Sequence, residues 1–191
     1  MNAILIAFHC KSNAGYAMNT LLPVFIEMAN KLVKSDNDIH VSFTKLNGSN
    51  CDNTPNYCNN FIEFDPATNE KSELLEIEKY VKKNNIDVVF GFDQPISRPS
   101  YKYLRRGGVK KIISYWGAPM SSINTGLKLK LKQLQVALTL NSPDHYIFES
   151  EAMAQSAYLG RGIPKNKVSI AYLGVNTEKF KPTNTENFYS H

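Results

Sequence analysis

The sequence predicts an α/β protein built on an open, mostly parallel sheet with helices on both faces. Three observations carry that expectation. Strand-like and helix-like segments alternate along the chain, the pattern of a parallel sheet covered by its own crossovers. Several strand segments are apolar without interruption, as strands buried on both faces are. The length of 191 residues suits one such domain with a sizeable core and is too short for two with a linker.

Residues 3–8, Ala-Ile-Leu-Ile-Ala-Phe, form the first strand. A loop through Ser12, Asn13, Ala14 and Gly15 enters a helix whose apolar residues, Met18, Leu21, Leu22, Phe25, Ala29, Leu32 and Val33, recur at helical spacing. Pro23 lies inside this helix and is expected to kink or divide it. Residues 39–46 read as the second strand, 47–60 as a long surface loop rich in Asn, Pro and Cys, and 61–64 as a short third strand. A charged helix over 68–84 carries Leu74, Ile77 and Val81 inward, and 86–92 supply the fourth strand. A short helix over 101–106 is stopped by Gly107-Gly108, and 111–116 return to strand. Residues 126–140 read as a helix with Leu127, Leu131, Leu134 and Leu138 on one stripe, although 127–132 also alternate with period two. Strands at 145–148 and 168–172 flank a helix at 151–159. No internal repeat or low-complexity tract is visible.

Composition narrows the class. Hydrophobic residues make up 42% and mean hydropathy is −0.33, ordinary for a folded globular domain. The net charge of +5 favours anionic partners in general. Cys10, Cys51 and Cys58 give an odd count without a C-x-x-C pair, which points away from a disulfide framework or structural zinc and towards a reduced cytoplasmic protein. A bridge between Cys51 and Cys58 would need export. The first apolar run lacks a preceding cationic region and is shorter than a signal-peptide core. No segment approaches the roughly 20 apolar residues that span a bilayer.

In an open parallel sheet, ligands bind at the carboxyl ends of the strands, near the point where strand order reverses. Attention therefore falls on the loops after Phe8, Phe92, Trp116, Phe148 and Tyr172. The loop Asn13-Ala14-Gly15 enters a helix N-terminus, whose amides and dipole favour a phosphate. Gly15 would allow close backbone approach, or serves simply as a turn residue. Neither G-x-G-x-x-G nor a P-loop is present. Asp93 and Gln94 follow one strand, and Trp116 and Gly117 end another. An indole face stacks on sugar C–H groups while Asp and Gln hydrogen-bond hydroxyls. Equally, Trp116 reads as core and Asp93 as a turn cap. At the next strand end stand Glu149, Ser150 and Glu151, with Ser150 read as an N-cap. Among the scattered histidines only His9 sits where a site could use it, and a structural role is its alternative. Metal ligands are not expected.

Arg98, Lys102, Arg105, Arg106, Lys110 and Lys111, with Lys128, Lys130 and Lys132, form a basic cluster. Lys128 and Lys132 border the leucine stripe, as in helices lying on membrane surfaces. A solvated helix packed on its own domain explains the same pattern. Nucleic acid is disfavoured because no stacking motif is interleaved with the cations.

Taken in order, the Asn13-Ala14-Gly15-Tyr16 loop, the strand-end Trp116-Gly117, the block from Ser142 through Pro143, Asp144, His145 and Tyr146 to Ser150, and Gly174-Val175-Asn176 followed by Phe180 and Pro182 resemble the amino-terminal half of a retaining family-4 glycosyltransferase of the GT-B fold. The resemblance covers essentially the whole chain. It implies a Rossmann-like acceptor-side domain over 1–174 and an interdomain hinge over 175–191. It also implies hexosyl transfer from a nucleotide sugar to a glycan or lipid-linked acceptor, as in polysaccharide biosynthesis, with the nucleotide sugar as substrate and no further cofactor. By analogy Gly15 would offer its amide to the donor phosphate and the Trp116 region would face acceptor and sugar. Many relatives carry paired glycines at Ala14-Gly15 and a histidine near Trp116. The family's Glu-x7-Glu motif belongs to the donor half. Glu70 with Glu78 lies in the wrong half, and Glu178 with Glu186 straddles Pro182.

The leading expectation is thus an acceptor-binding glycosyltransferase half, inactive without a C-terminal donor-binding half joined to it or acting in trans, cytoplasmic or peripheral at the cytoplasmic membrane face. A non-catalytic subunit that binds a glycan or lipid acceptor, or docks a partner, is the alternative from another class. A generic nucleotide-binding protein would need a phosphate motif that the chain lacks.

Overall fold

Seven parallel strands in the order β3-β2-β1-β4-β5-β6-β7 organise the chain. The structure, a computed structural model, describes residues 1–47, 58–172 and 174, without the side chains of residues 16–18. Among these residues the strands are β1 (Ala3–Ala7), β2 (Ile39–Phe43), β3 (Asn60–Glu63), β4 (Ile86–Phe92), β5 (Lys111–Trp116), β6 (His145–Phe148) and β7 (Val168–Ile170). The helices are α1 (Tyr16–Asn30), α2 (Lys71–Lys83), α3 (Pro99–Gly107), α4 (Gly126–Leu138) and α5 (Glu151–Gln155). The sheet is wholly parallel, tighter than the mostly parallel one expected, and its order reverses between β1 and β4. Cys51 and the hinge residues Val175, Asn176, Phe180 and Pro182 lie outside the described residues.

Alternation along each strand divides the core. Ile4, Ile6, Phe8, Val41, Phe43, Val88 and Phe90 pack beneath Leu22, Phe25, Ile26 and Ala29 of α1. Ala3, Leu5, Ala7, Val89 and Ile112 turn to the other face and meet Ile77 and Val81 of α2 and Tyr101 and Leu104 of α3. A third cluster joins Tyr146 and Phe148 to Ala154 and Ala157. β1 is buried along its whole length, as its unbroken apolar run requires.

Pro23 does not divide α1, which runs uninterrupted from Tyr16 to Asn30. An interior proline costs about 3 kcal/mol. Burying Leu22, Phe25, Ile26 and Ala29 returns more, at about 1.5–3 kcal/mol for each large side chain. Beyond α5 the chain widens into a π-helix, Ser156–Arg161. That irregularity leaves carbonyls for outside donors: Asn124 gives its backbone N–H to Leu159 O at 3.0 Å and its side-chain amide to Gly160 O at 2.6 Å. Asn124 thereby ties the loop after β5 to the body of the domain. Burial pushes the Cys58 thiol up to about 11. Among the described residues no helix is long and apolar enough to cross a membrane.

Candidate substrate site at the strand-order reversal

At the carboxyl ends of the central strands a row of buried and half-buried aromatic rings forms the floor under the polar residues of the strand-end loops. Phe8 stacks on Phe43 at 5.2 Å and lies 6.1 Å from Phe92, which stacks on Tyr115 at 6.1 Å. These rings come from β2, from the residue after β1, from β4 and from β5, so the floor spans the switch point.

Above the floor sit His9, Asp93, Gly117 and Glu149. His9 leaves β1 exposed, with Nδ1 3.0 Å from Phe92 O and its ring stacked over Phe92. Asp93 follows β4 with φ of 49°, a left-handed conformation uncommon outside glycine. Its backbone N–H reaches across to Tyr115 O at 2.7 Å, and its Oδ1 accepts from the Gly117 N–H at 3.2 Å. Burial raises the Asp93 carboxyl above its ordinary value and Glu149 adds to the rise, while the Gly117 N–H and His9 oppose it. The Tyr115 hydroxyl donates to Glu149 Oε1 at 2.9 Å. Burial and that hydrogen bond push the phenol's pKa up, so it stays a donor. A Cβ at Gly117 would stand 3.2 Å from Glu149 Oε1, so glycine keeps this corner open. Each carboxylate thus has one oxygen fixed by the domain, and the described residues offer no hydrogen bond to Asp93 Oδ2 or Glu149 Oε2. Two half-engaged carboxylates beside an exposed imidazole can accept and donate hydrogen bonds to a polyhydroxylated ligand.

The residues singled out in the sequence divide. Asp93 and Gly117 meet directly. Gln94 is 2% exposed and serves the turn: its N–H donates to Ser114 Oγ at 3.0 Å, its carbonyl accepts from the same hydroxyl at 2.7 Å, and its Nε2 donates to Phe92 O at 3.0 Å. Gly91 makes room for it, since a Cβ there would lie 2.3 Å from Gln94 Cγ. Trp116 turns to the opposite sheet face from Tyr115, half-buried with its indole stacked on Phe148 at 6.4 Å. Asn13, Ala14 and Gly15 are exposed at the mouth of α1. Ser12 N–H to Lys45 O at 3.0 Å and Asn47 Nδ2 to Asn13 Oδ1 at 3.3 Å hold this loop against the segment after β2. Gly15 adopts φ of 91° at the N-cap, which favours glycine there. Ser150 is an N-cap, its Oγ accepting from the Met153 N–H at 3.3 Å.

Glu149 and Tyr115 are the members that sequence reading left without a role. The usable signal was position, since both stand at carboxyl ends of neighbouring strands. An opening of about 620 Å³ lies away from the switch point, between β3 and α2, lined by Glu63, Asp65, Glu73, Glu76 and Tyr80. Among the described residues no group of three or more His, Cys, Asp or Glu is placed to hold a metal ion.

A doubly wound α/β domain places its ligands outside the carboxyl ends of the strands, at the strand-order reversal. The chain belongs to Glycosyltransferase Family 4: that family's sequence profile matches residues 24–179. Among solved structures it is similar to a glycosyltransferase from Rickettsia africae ESF-5, with a TM-score of 0.63 at 15% identity. That likeness covers 96% of this chain and 46% of the other, so the chain spans about half the length of the enzyme it matches. No curated protein matches the sequence.

Proposed function

We infer that this chain is the acceptor-binding half of a retaining glycosyltransferase, working on a hexosyl group carried by a nucleotide sugar and delivered to a glycan or lipid-linked acceptor. The pairing of Asp93 with Glu149 at the switch point, each with one oxygen engaged by the domain and one turned to other partners, carries the reading. In this account Asp93 Oδ2, Glu149 Oε2 and His9 bind hydroxyls of the acceptor and of the sugar in transit. The backbone at Asn13, Ala14 and Gly15, at the positive end of α1, faces the donor phosphates. Gln94 and Gly117 position Asp93, and Trp116 stiffens the strand end from the opposite face.

Departure of the nucleotide needs preorganised donors around its phosphates. Those belong to a donor-binding half, whether continuous with this polypeptide or supplied in trans. The account therefore expects no nucleotide release when the purified 191-residue chain is incubated with a panel of nucleotide sugars and glycan acceptors. Release should begin on addition of a donor-binding half and fall about 100-fold in Asp93→Ala, the scale of a lost catalytic-site contact. Turnover by the 191-residue chain unaided would overturn the division of labour. Full activity in Asp93→Ala with the donor half present would overturn the site.

A further inference from the structure

Helix α4 presents its leucines outward. Leu127, Leu131, Leu134 and Leu138 form one stripe and are 56–76% exposed, and Ile123 before the helix and Leu140 after it are exposed as well. The helix buries no residue. Its inner side is formed by Leu129, Gln133 and Ala137, which line a groove with Tyr158 and Ile163, and by Val136, which packs on the third core cluster. Leu129 and Val136 fall opposite the leucine stripe at 100° per residue, so the ridge points away from the domain. Over its 13 residues it is about 20 Å long.

Charge says what the ridge fits. Lys128 and Lys132 flank it on one side and Lys130 on the other. From Gln94 to Pro143 the chain carries nine Lys or Arg and not one Asp or Glu, whereas the rest of the chain is net negative. Two copies of the ridge face to face would bring six lysines together, which disfavours a dimer. A convex ridge also lacks the groove in which a partner helix would seat. We propose that α4 docks on an anionic membrane surface, its leucines entering the acyl boundary while Lys128, Lys130 and Lys132 reach the headgroups. This is the geometry of an interfacial helix, in which apolar burial and electrostatic attraction add. The loop from Gly117 through Asn124 joins this helix to the switch-point site, so docking would set that site beside the lipid surface.

Vesicle co-sedimentation of the 191-residue chain tests the proposal with three proteins: wild type, the Leu131→Glu/Leu134→Glu double variant, and the Lys128→Gln/Lys130→Gln/Lys132→Gln triple variant. Wild type should sediment with mixed phosphatidylcholine and phosphatidylglycerol vesicles but not with phosphatidylcholine alone. Salt should weaken binding. The double variant should stay in the supernatant with a nearly unchanged thermal melt, since its leucines are mostly exposed, and the triple variant should lose about fivefold in partition per lysine removed. A wild type that ignores the mixed vesicles overturns the proposal, as does a double variant that still binds them. So does a dimer, seen by light scattering, that the double variant splits while vesicles leave the wild type unbound.

Discussion

α1 and α4 are helices of similar length with similar apolar stripes, and the fold uses them in opposite ways. In α1 the stripe is the core: Leu22, Phe25, Ile26 and Ala29 are at most 4% exposed and press on β1, β2 and β4. In α4 the stripe is the surface, and the helix is held instead by close backbone approach. Gly162 lets it in, since a Cβ there would stand 2.6 Å from the Gln133 backbone nitrogen. Periodicity identifies a face but not its direction. Direction is set by what the neighbouring elements can accept, and beside α4 they accept backbone.

The contrast breaks most readily in α1. Phe25→Ala removes a ring that makes edge contacts with Phe90 and Tyr115, and should cost about 3–5 kcal/mol in urea unfolding. An effect below 1 kcal/mol would mean that α1 is not the lid of this core. Next comes Gly162→Ala, strained both by φ of 81° and by the clash with Gln133. It should cost about 1–3 kcal/mol and speed amide hydrogen exchange in α4 well before that in α1. Uniform exchange in the two helices would erase the distinction.

Asp93→Asn sharpens the comparison at the site that lies between these helices in sequence. The Asp93 pKa is raised in the folded state. The carboxyl therefore favours the fold below its unfolded pKa, and that stability is lost as pH rises through the folded pKa. Asparagine keeps the acceptor for the Gly117 N–H and carries no charge. The variant should melt roughly 2 °C higher than wild type near neutral pH, with the gain vanishing in acid where Asp93 is protonated. Equal melts at neutral pH would show that the site is not strained by its own charge. Smallest of all, Leu131→Ala on the α4 ridge should change stability by no more than about 0.5 kcal/mol, in contrast to Phe25→Ala.

Much of the fold was legible because strands announce themselves locally. β4, β5 and β6 fall at their expected residues, each a short run rich in apolar residues. β2 stops at Phe43 rather than at 46, because Thr44 and Lys45 already pair with the loop after β1. The site was legible as a place more than as a set of side chains. Asp93 and Gln94 are adjacent and both polar, yet only Asp93 joins the site while Gln94 turns under it. The choice depends on a left-handed backbone at Asp93 and on Gly91 lying beneath. Tyr115 and Trp116 divide likewise, by which sheet face α1 covers. Glu149 was legible as a strand-end residue, but its hydrogen bond with Tyr115 depends on β6 lying beside β5, a non-local pairing that no sequence window contains.

The strand ends at the switch point, not the acidic opening beside α2, are expected to receive the acceptor. This is tested most directly by following backbone amide shifts of the ¹⁵N-labelled 191-residue chain during titration with a panel of oligosaccharides. Shifts should concentrate at His9, Asp93, Gly117 and Glu149 and weaken in Asp93→Ala. Shifts concentrated at Glu63, Asp65 and Glu73, or left unchanged by that substitution, would contradict this expectation.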